Sequence, residues 1–407
     1  MTEEKHTPEV LPATVAKSEF HAPLLIDDEL ARSLMARGAS DLFSQSVLRF
    51  VMMMLFVGPV AFFAGITDLP FFPMVFAVFM FSYLAGAILS WRVQSSLENR
   101  HYSLTAKRLP LSMFWNTVWF PITFSPYFQT AQAFMRLLLV EGRFVELEAV
   151  TRYTWGMHQR RSFSNTDVPK DWGLANNLAV AYLSQWRFEE AATIFRDLLK
   201  RPSAMRGRLV LLNNLALCLV RNDELEEAEK LLTEAFTLSK SSFQPVVGWR
   251  LHFVKALIET KKGNLESAEE AIEKAETMAR KNKDVAEAQT HLDSALAKIR
   301  FKQNRFDEAE LYYKNALDAL QAATNPSYRV MSVYSKDYAE VLSAQNKQEE
   351  ADKMLSRSRS YEDMDLQNEL SAVEAIKERL RSPKPLLLAT DLLQLSPRER
   401  YLEMIDD

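Results

Sequence analysis

Two asparagine pairs, at the same place in two repeated segments, are the residues best suited to bind another molecule. Asn176-Asn177 lies in LANNLAVAYL (174–183), and Asn213-Asn214 lies in LLNNLALCLV (211–220). An Asn amide donates and accepts hydrogen bonds at once, which matches the backbone of an extended peptide. Basic residues of the same region would favour acidic ligands: Arg208, Arg221, Arg250 and Lys255. The other interpretation is that the amides only bridge neighbouring helices.

The sequence lacks the motifs on which most catalytic and metal sites depend. It has no Gly-rich phosphate loop, no G-x-S-x-G and no H-E-x-x-H, and its six His residues are scattered. Its one cysteine, Cys218, excludes an internal disulfide and a C-x-x-C metal site. A net charge of −4 leaves no basic domain to neutralise phosphates. We therefore expect a protein that is not an enzyme and that binds no cofactor, metal or nucleic acid.

A polar turn followed by a helical pattern recurs six times, and these units must position the Asn pairs. The copies read EGRFVEL (141–147), QWRFEEA (185–191), NDELEEA (222–228), KGNLESA (262–268), QNRFDEA (303–309) and QNKQEEA (345–351). Their last residues are 44, 37, 40, 41 and 42 positions apart, with apolar residues around them at helical spacing. Each unit is predicted to be a helical hairpin, because stacked hairpins bury an apolar face that one hairpin leaves exposed.

The repeats resemble the tetratricopeptide repeat over about residues 128–360. The family spacing L-x3-Y…A-x3-F is met in the second unit by Leu178, Tyr182, Ala191 and Phe195. Asn-Asn-Leu-Ala in the second and third units resembles the longer subclass typified by kinesin light chain. The resemblance implies an all-α solenoid of about six degenerate hairpins whose concave face binds a protein or peptide. In that family the second Asn of the pair commonly contacts the peptide, which implies this role for Asn177 and Asn214.

Two apolar segments without charge precede the repeats, one between Arg49 and Asp68 and one between Asp68 and Arg92. At 1.5 Å per residue, each is long enough to cross a hydrocarbon core of about 30 Å. A short turn separates them, which predicts a transmembrane hairpin over 46–92. A buried helical hairpin is the alternative. Basic residues flank both outer ends, so the positive-inside rule places both ends, and the solenoid, in the cytoplasm.

The remaining segments are assigned from their composition. Residues 1–45 are predicted to be a disordered cytosolic arm with one short helix. Residues 93–127 are predicted to be an interfacial aromatic linker that seats the solenoid on the bilayer, with a third span within 109–135 as the alternative. Residues 361–407 are predicted to form a capping helix and a tail, and the tail either packs on the solenoid or occupies its groove.

These features predict an integral membrane protein with two spans and a cytoplasmic solenoid. Its partners would be a lipid bilayer and a protein or peptide segment, for which it acts as scaffold or adaptor. The predicted peptide contacts are Asn177, Asn214, Asn176, Asn213 and Arg250. The alternative is a non-catalytic accessory subunit of a membrane complex or transporter, in which the repeats associate into a homo-oligomer. The partner itself stays open, because such solenoids serve unrelated functions.

Overall fold

The described part of the chain is an all-helical solenoid, as the repeats predict. A computed structural model describes residues 25–41, 59, 62, 65, 71–99, 101, 104–109, 111–112, 125–159, 171–202, 205–241, 248–281, 285–323 and 326–381. Within these ranges every regular element is a helix. The predicted disordered arm up to residue 24 and the predicted tail from residue 382 lie outside the described residues.

The described helices follow one another in antiparallel pairs from α4 onwards. In chain order they are α1 (28–41), α2 (Phe71–Glu98), α3 (104–109 and 111–112), α4 (Ser125–Val140), α5 (Phe144–Gln159), α6 (Trp172–Ser184), α7 (Phe188–Leu199), α8 (Met205–Arg221), α9 (Leu225–Ser241), α10 (Gly248–Lys262), α11 (Leu265–Lys281), α12 (Val285–Lys302), α13 (Phe306–Ala322), α14 (Tyr328–Ala344) and α15 (Gln348–Arg381). The six hairpins are therefore α4–α5, α6–α7, α8–α9, α10–α11, α12–α13 and α14–α15.

Each hairpin turns through one residue with a left-handed backbone. These residues have φ between 59° and 85°, and they are Gly142, Trp186, Asp223, Gly263, Asn304 and Asn346. The backbone N–H of the next residue donates to the carbonyl five positions earlier, at 2.9 Å in all six turns. This is the longer bond of the Schellman motif, which pairs a carbonyl that a helix end leaves free. The polar turn seen in the sequence is thus the stop signal of each first helix.

Replacing Gly263 by alanine isolates the cost of this backbone conformation. Gly263 has φ +85°, and a Cβ added there would meet nothing within 4 Å. We expect Gly263→Ala to lower the free energy of unfolding by about 1 kcal/mol, because only the strain of the left-handed backbone changes. Urea denaturation followed by circular dichroism measures this loss. The control is Gly248→Ala, whose Cβ would meet only Met278 at ordinary contact distance, and an equal loss in both variants would contradict the prediction.

Small buried residues let each second helix lie close to the first. The alanine that closes each repeated segment is fully buried in the last five units, at Ala191, Ala228, Ala268, Ala309 and Ala351. Larger apolar residues four positions later are buried as well, at Phe195, Leu232, Ile272 and Tyr313. One hydrophobic cluster runs from Ile26, just before α1, to Ile299 in α12 and includes Val373 and Ile376 of α15, and a second fills the last two hairpins. The stack therefore buries a nearly continuous apolar core, as repeat units must.

The short helix α1 packs against α5 at backbone distance. Its first turn is capped by Asp27, whose carboxylate accepts a hydrogen bond from the Leu30 N–H at 2.8 Å. A Cβ on Gly38 would lie 2.1 Å from the Tyr153 carbonyl oxygen, and one on Gly156 would lie 2.0 Å from that of Met35. Only glycine permits so close an approach at these two positions. Helix α1 is consequently part of the folded body.

The predicted transmembrane hairpin is corrected by the structure. Among the helices of the described ranges, none combines the length and the apolar character that crossing a membrane requires. This finding contradicts the predicted localisation as an integral membrane protein with two spans and a cytoplasmic solenoid. The first predicted span falls outside the described residues except at positions 59, 62 and 65.

The second predicted span coincides with α2, whose last turns pack on the solenoid instead of ending at a bilayer surface. Val93 and Leu97 are buried there. The Ser90 hydroxyl hydrogen-bonds the Thr130 hydroxyl of α4 at 3.0 Å, and Thr130 bonds Ser112 of α3 at the same distance. The opposite side of α2 carries exposed apolar side chains, including Phe81 (77% exposed), Leu84, Ile88 and Trp91 (66% exposed). Their spacing places them on one face of the helix.

Candidate functional site

The predicted Asn pairs lie on the first helices of the second and third hairpins, α6 and α8. First helices of neighbouring hairpins pack against each other, as α4 does with α6, α8 with α10 and α10 with α12. We call the surface formed by α4, α6, α8, α10, α12 and α14 the inner face. The concave side of a helical solenoid is its usual binding surface. Arg250 lies on the same surface, in the first turn of α10.

Asn177 is used inside the fold. Its Nδ2 donates to the Gln132 Oε1 of α4 at 2.6 Å and lies 3.0 Å from the Met135 sulfur. It therefore bridges two neighbouring first helices, which is the alternative role left open by the sequence. Gln132 was missed by the sequence reasoning, although it precedes Asn176 by the same 44 residues that separate Leu147 from Ala191.

Three amide atoms near these positions are buried without a hydrogen-bond partner among the described residues. They are Gln132 Nε2, Asn176 Oδ1 and Asn213 Oδ1. Asn213 is 3% exposed, and its Nδ2 donates to the Asn214 Oδ1 at 3.3 Å. An unmatched buried polar group costs about 1–3 kcal/mol.

The positive charge predicted for this face is partly neutralised. The Arg208 Nε donates to a Glu234 carboxylate oxygen at 2.8 Å. The Arg250 guanidinium lies over the Trp249 ring, 4.6 Å from its centroid, which is a cation–π contact. Burial lowers the pKa of His252. Of the four basic residues predicted for this region, Arg208 is therefore paired with a carboxylate and Arg250 is stacked on an aromatic ring.

A buried arginine that the sequence reasoning missed joins the last hairpin to the second. Arg329, in the first turn of α14, is 6% exposed. Its Nη1 donates to the carbonyl oxygen of Gln185, the C-cap residue of α6, at 2.7 Å. Its Nε and Nη2 pair with Asp365 and Glu369 of α15, both at 2.7 Å. We call these four residues the Arg329 latch. No local pattern in the sequence marks it, because Gln185 is 144 residues away.

A second buried network lies directly behind the latch. Glu148 of α5 is fully buried and pairs with Arg152 at 2.9 Å and with Arg187 at 3.2 Å. The Gln185 side chain donates to the same carboxylate at 3.0 Å, so it links this network to the latch. The Arg187 guanidinium also lies 4.0 Å from the centroid of the Tyr182 ring. Burial, which is the largest cause, raises the pKa of Tyr182.

Comparison with known families identifies the class of protein. Residues 173–201 and 250–282 match models of the tetratricopeptide repeat. These segments correspond to the α6–α7 and α10–α11 hairpins. The chain is therefore an α-solenoid built on tetratricopeptide repeats, a scaffold typical of protein–protein interaction.

Comparison with individual proteins gives distant structural neighbours. No curated protein matches the sequence significantly. The chain is similar to a Rap protein complexed with competence and sporulation factor, with 12% identity over 79% of this chain and 88% of that one, and a TM-score of 0.49. It is similar to the apo form of RapI, with 13% identity, 68% and 97% coverage and a TM-score of 0.48. It is also similar to BtubC (BKLC) from P. vanneervenii, with 15% identity over 57% of this chain and 92% of that one, and a TM-score of 0.36.

Proposed function

We propose that this chain is a scaffold or adaptor whose inner face binds an extended peptide segment of a protein partner. The observation that carries the proposal is a pair of partly exposed amides, Asn176 on α6 and Asn214 on α8, on neighbouring first helices of the inner face. An extended peptide backbone supplies both N–H donors and carbonyl acceptors, so it can pair with both side chains. Tetratricopeptide-like folds commonly bind such partners.

The proposal divides the predicted contact residues by role. Asn176 and Asn214 are partly exposed and free of the bridge that occupies Asn177. We therefore assign peptide contact to Asn176 and Asn214, and assign to Asn177 the task of holding α6 against α4. Arg250, stacked on Trp249, extends the surface on α10.

Selection of linear peptides from a displayed random library tests the proposal. The full chain serves as bait, and affinities of selected peptides are measured by fluorescence anisotropy. We expect the double variant Asn176→Ala/Asn214→Ala to bind at least about tenfold more weakly, because each hydrogen bond contributes roughly 1 kcal/mol. The variant Asn177→Ala should instead lose stability, by about 1 kcal/mol, through its bond to Gln132.

The matched control is Asn315→Ala, which removes the same amide from an exposed position on the second helix α13. It should leave both affinity and stability unchanged. Selected peptides that bind the double variant and the wild type equally would remove the inner face as the binding surface.

That the chain is not an enzyme stays a prediction. No group of three or more candidate metal-binding side chains occurs within the described ranges. The predicted partnership with a lipid bilayer depended on the spans corrected above, and self-association of the repeats stays a prediction. The family matches support a repeat scaffold of the protein-binding type.

A further inference from the structure

The two ends of the solenoid are joined by its longest described helix. With 34 residues, α15 is about 51 Å long, since each residue adds 1.5 Å. Its first half packs with α14 in the second hydrophobic cluster, through Ala351. Its second half contributes Val373 and Ile376 to the cluster of the earlier hairpins and packs against α5. At its end the Leu380 carbonyl accepts a hydrogen bond from Arg37 of α1 at 3.2 Å.

The Arg329 latch adds the polar part of this closure. The arginine lies between α14, α15 and the turn that ends α6. Five residues further along α14, Tyr334 is buried, and burial raises its pKa. The groups that oppose this rise are Ser294 of α12 and Arg221 at the end of α8. Helix α14 therefore lies close to α12, to the end of α8 and to the turn that ends α6.

We propose that the Arg329 latch closes the solenoid into a ring, and that proton release from Glu369 opens the ring and widens access to the inner face. The contacts of Arg329 support the latch whether or not the inner face binds a partner. Its effect on partner access rests on the proposed function.

The charges around Glu369 explain why a proton controls closure. Glu369 shares Arg329 with Asp365, and Glu146 of α5 adds further negative charge. Glu146 is itself paired with Arg143 at 3.1 Å. Glu148, behind Gln185, is already balanced by two arginines, Arg152 and Arg187. When Glu369 is neutral, Asp365 alone balances Arg329, and when Glu369 is ionised, a surplus carboxylate is buried.

The sign of the pH effect follows from these surroundings. Burial, which is the largest cause, raises the pKa of Glu369 to about 7, and Asp365 and Glu146 raise it further against the opposing effect of Arg329. In an open ring this carboxyl is hydrated and has its ordinary pKa of 4.5. Closure therefore takes up a proton. The stabilisation is fully present below pH 4.5 and is lost as the pH rises through 7, which changes the ratio of closed to open rings about tenfold between pH 6 and pH 8.

Paired spin labels on the full chain measure closure without any partner. Glu189→Cys on α7 and Gln367→Cys on α15 place labels at exposed positions on either side of the latch. Cys218 takes no label, because it is fully buried and burial raises the pKa of its thiol to about 12. Double electron–electron resonance then gives the distance between the two labels at pH 6 and at pH 8. We expect a single short distance at pH 6. At pH 8 we expect a second population with a longer distance, and the ratio of closed to open rings should differ about tenfold between the two pH values.

Three variants decide the role of the latch. Glu369→Gln imitates the protonated carboxyl, and we expect it to stay closed at both pH values. Arg329→Met should show the longer distance at both, with circular dichroism confirming that the helices are retained. The control Lys353→Met breaks an exposed pair with Glu349 on the same helix and should behave as the wild type. A wild type without pH dependence, or a Glu369→Gln variant that keeps it, would overturn the proposal.

Binding of the selected peptides separates the latch from the proposed function. If the ring opens and the inner face is its binding surface, affinity should be higher at pH 8 than at pH 6 in the wild type, by up to about tenfold, and equal at both in Glu369→Gln. Opening without any change in affinity would overturn the link to partner access. The proposed function is tested separately, by the loss of affinity in the Asn176→Ala/Asn214→Ala variant.

Discussion

Replacing Glu148 by alanine is expected to lower the free energy of unfolding by about 3–5 kcal/mol. The carboxylate is fully buried, and it balances Arg152 and Arg187 at 2.9 and 3.2 Å. Without it, two guanidinium groups with little access to water lose their counter-charge, and the Gln185 amide loses an acceptor. Denaturation in urea, followed by circular dichroism at constant pH, measures the loss.

Glu190→Ala is the matched control for this prediction. Glu190 pairs with the same Arg187 at 2.9 Å, but its side chain is 48% exposed. Exposed ion pairs contribute little, so we expect a loss of less than about 1 kcal/mol. Similar losses in the two variants would show that burial of Glu148 does not matter, and the link between the first hairpin and the latch would then lose its energetic basis.

Replacing Gly156 by alanine is expected to release α1 from the rest of the fold. The new Cβ would lie 2.0 Å from the Met35 carbonyl oxygen, and a backbone atom has no rotamer by which to move away. Detachment exposes Ile26, Leu30 and Leu34, which are buried. At about 1.5–3 kcal/mol for each large apolar side chain, the loss is on the order of 5 kcal/mol. Limited proteolysis should cut the variant between α1 and the solenoid at protease concentrations that leave the wild type intact.

Gly173→Ala is the control for the glycine contact. A Cβ at Gly173 would meet the Gln132 Nε2 at 2.6 Å, but this atom ends a flexible side chain that can turn aside. We expect α1 to stay protected in this variant, with a loss below about 1 kcal/mol. Protection of α1 in Gly156→Ala as well would contradict the close backbone contact between α1 and α5.

The repeat units were predictable because their signals are local. A stop signal, a small residue and an apolar residue four positions later all act within about one turn of helix. The six turns, from Gly142 to Asn346, therefore fall where the repeated segments place them. The Asn pairs occupy equivalent positions in the second and third units. Gln132 occupies the position of the first unit that is equivalent to Asn176, so an alignment of the first unit with the second identifies it.

The membrane prediction shows where composition alone falls short. The apolar segment that ends at Trp91 satisfies the length rule for a spanning helix. In the structure, α2 continues to Glu98, and its last turns bury Val93 and Leu97 against the solenoid. An apolar composition indicates that a surface is unfavourable in contact with water. It does not indicate whether protein or lipid covers that surface.

The hairpins, their turns and the positions of the amides follow from the amino-acid sequence alone, because each depends on residues a few positions apart. Long-range packing brings α15 back to α5, bridges Asn177 to Gln132 and places Arg329 against Gln185, and none of these contacts is visible in the sequence. The small rotation between neighbouring hairpins accumulates along the stack, and its sum over six hairpins determines whether the ends meet. The burial of Arg329 and the raised pKa of Glu369 both follow from that sum, which no single repeat encodes.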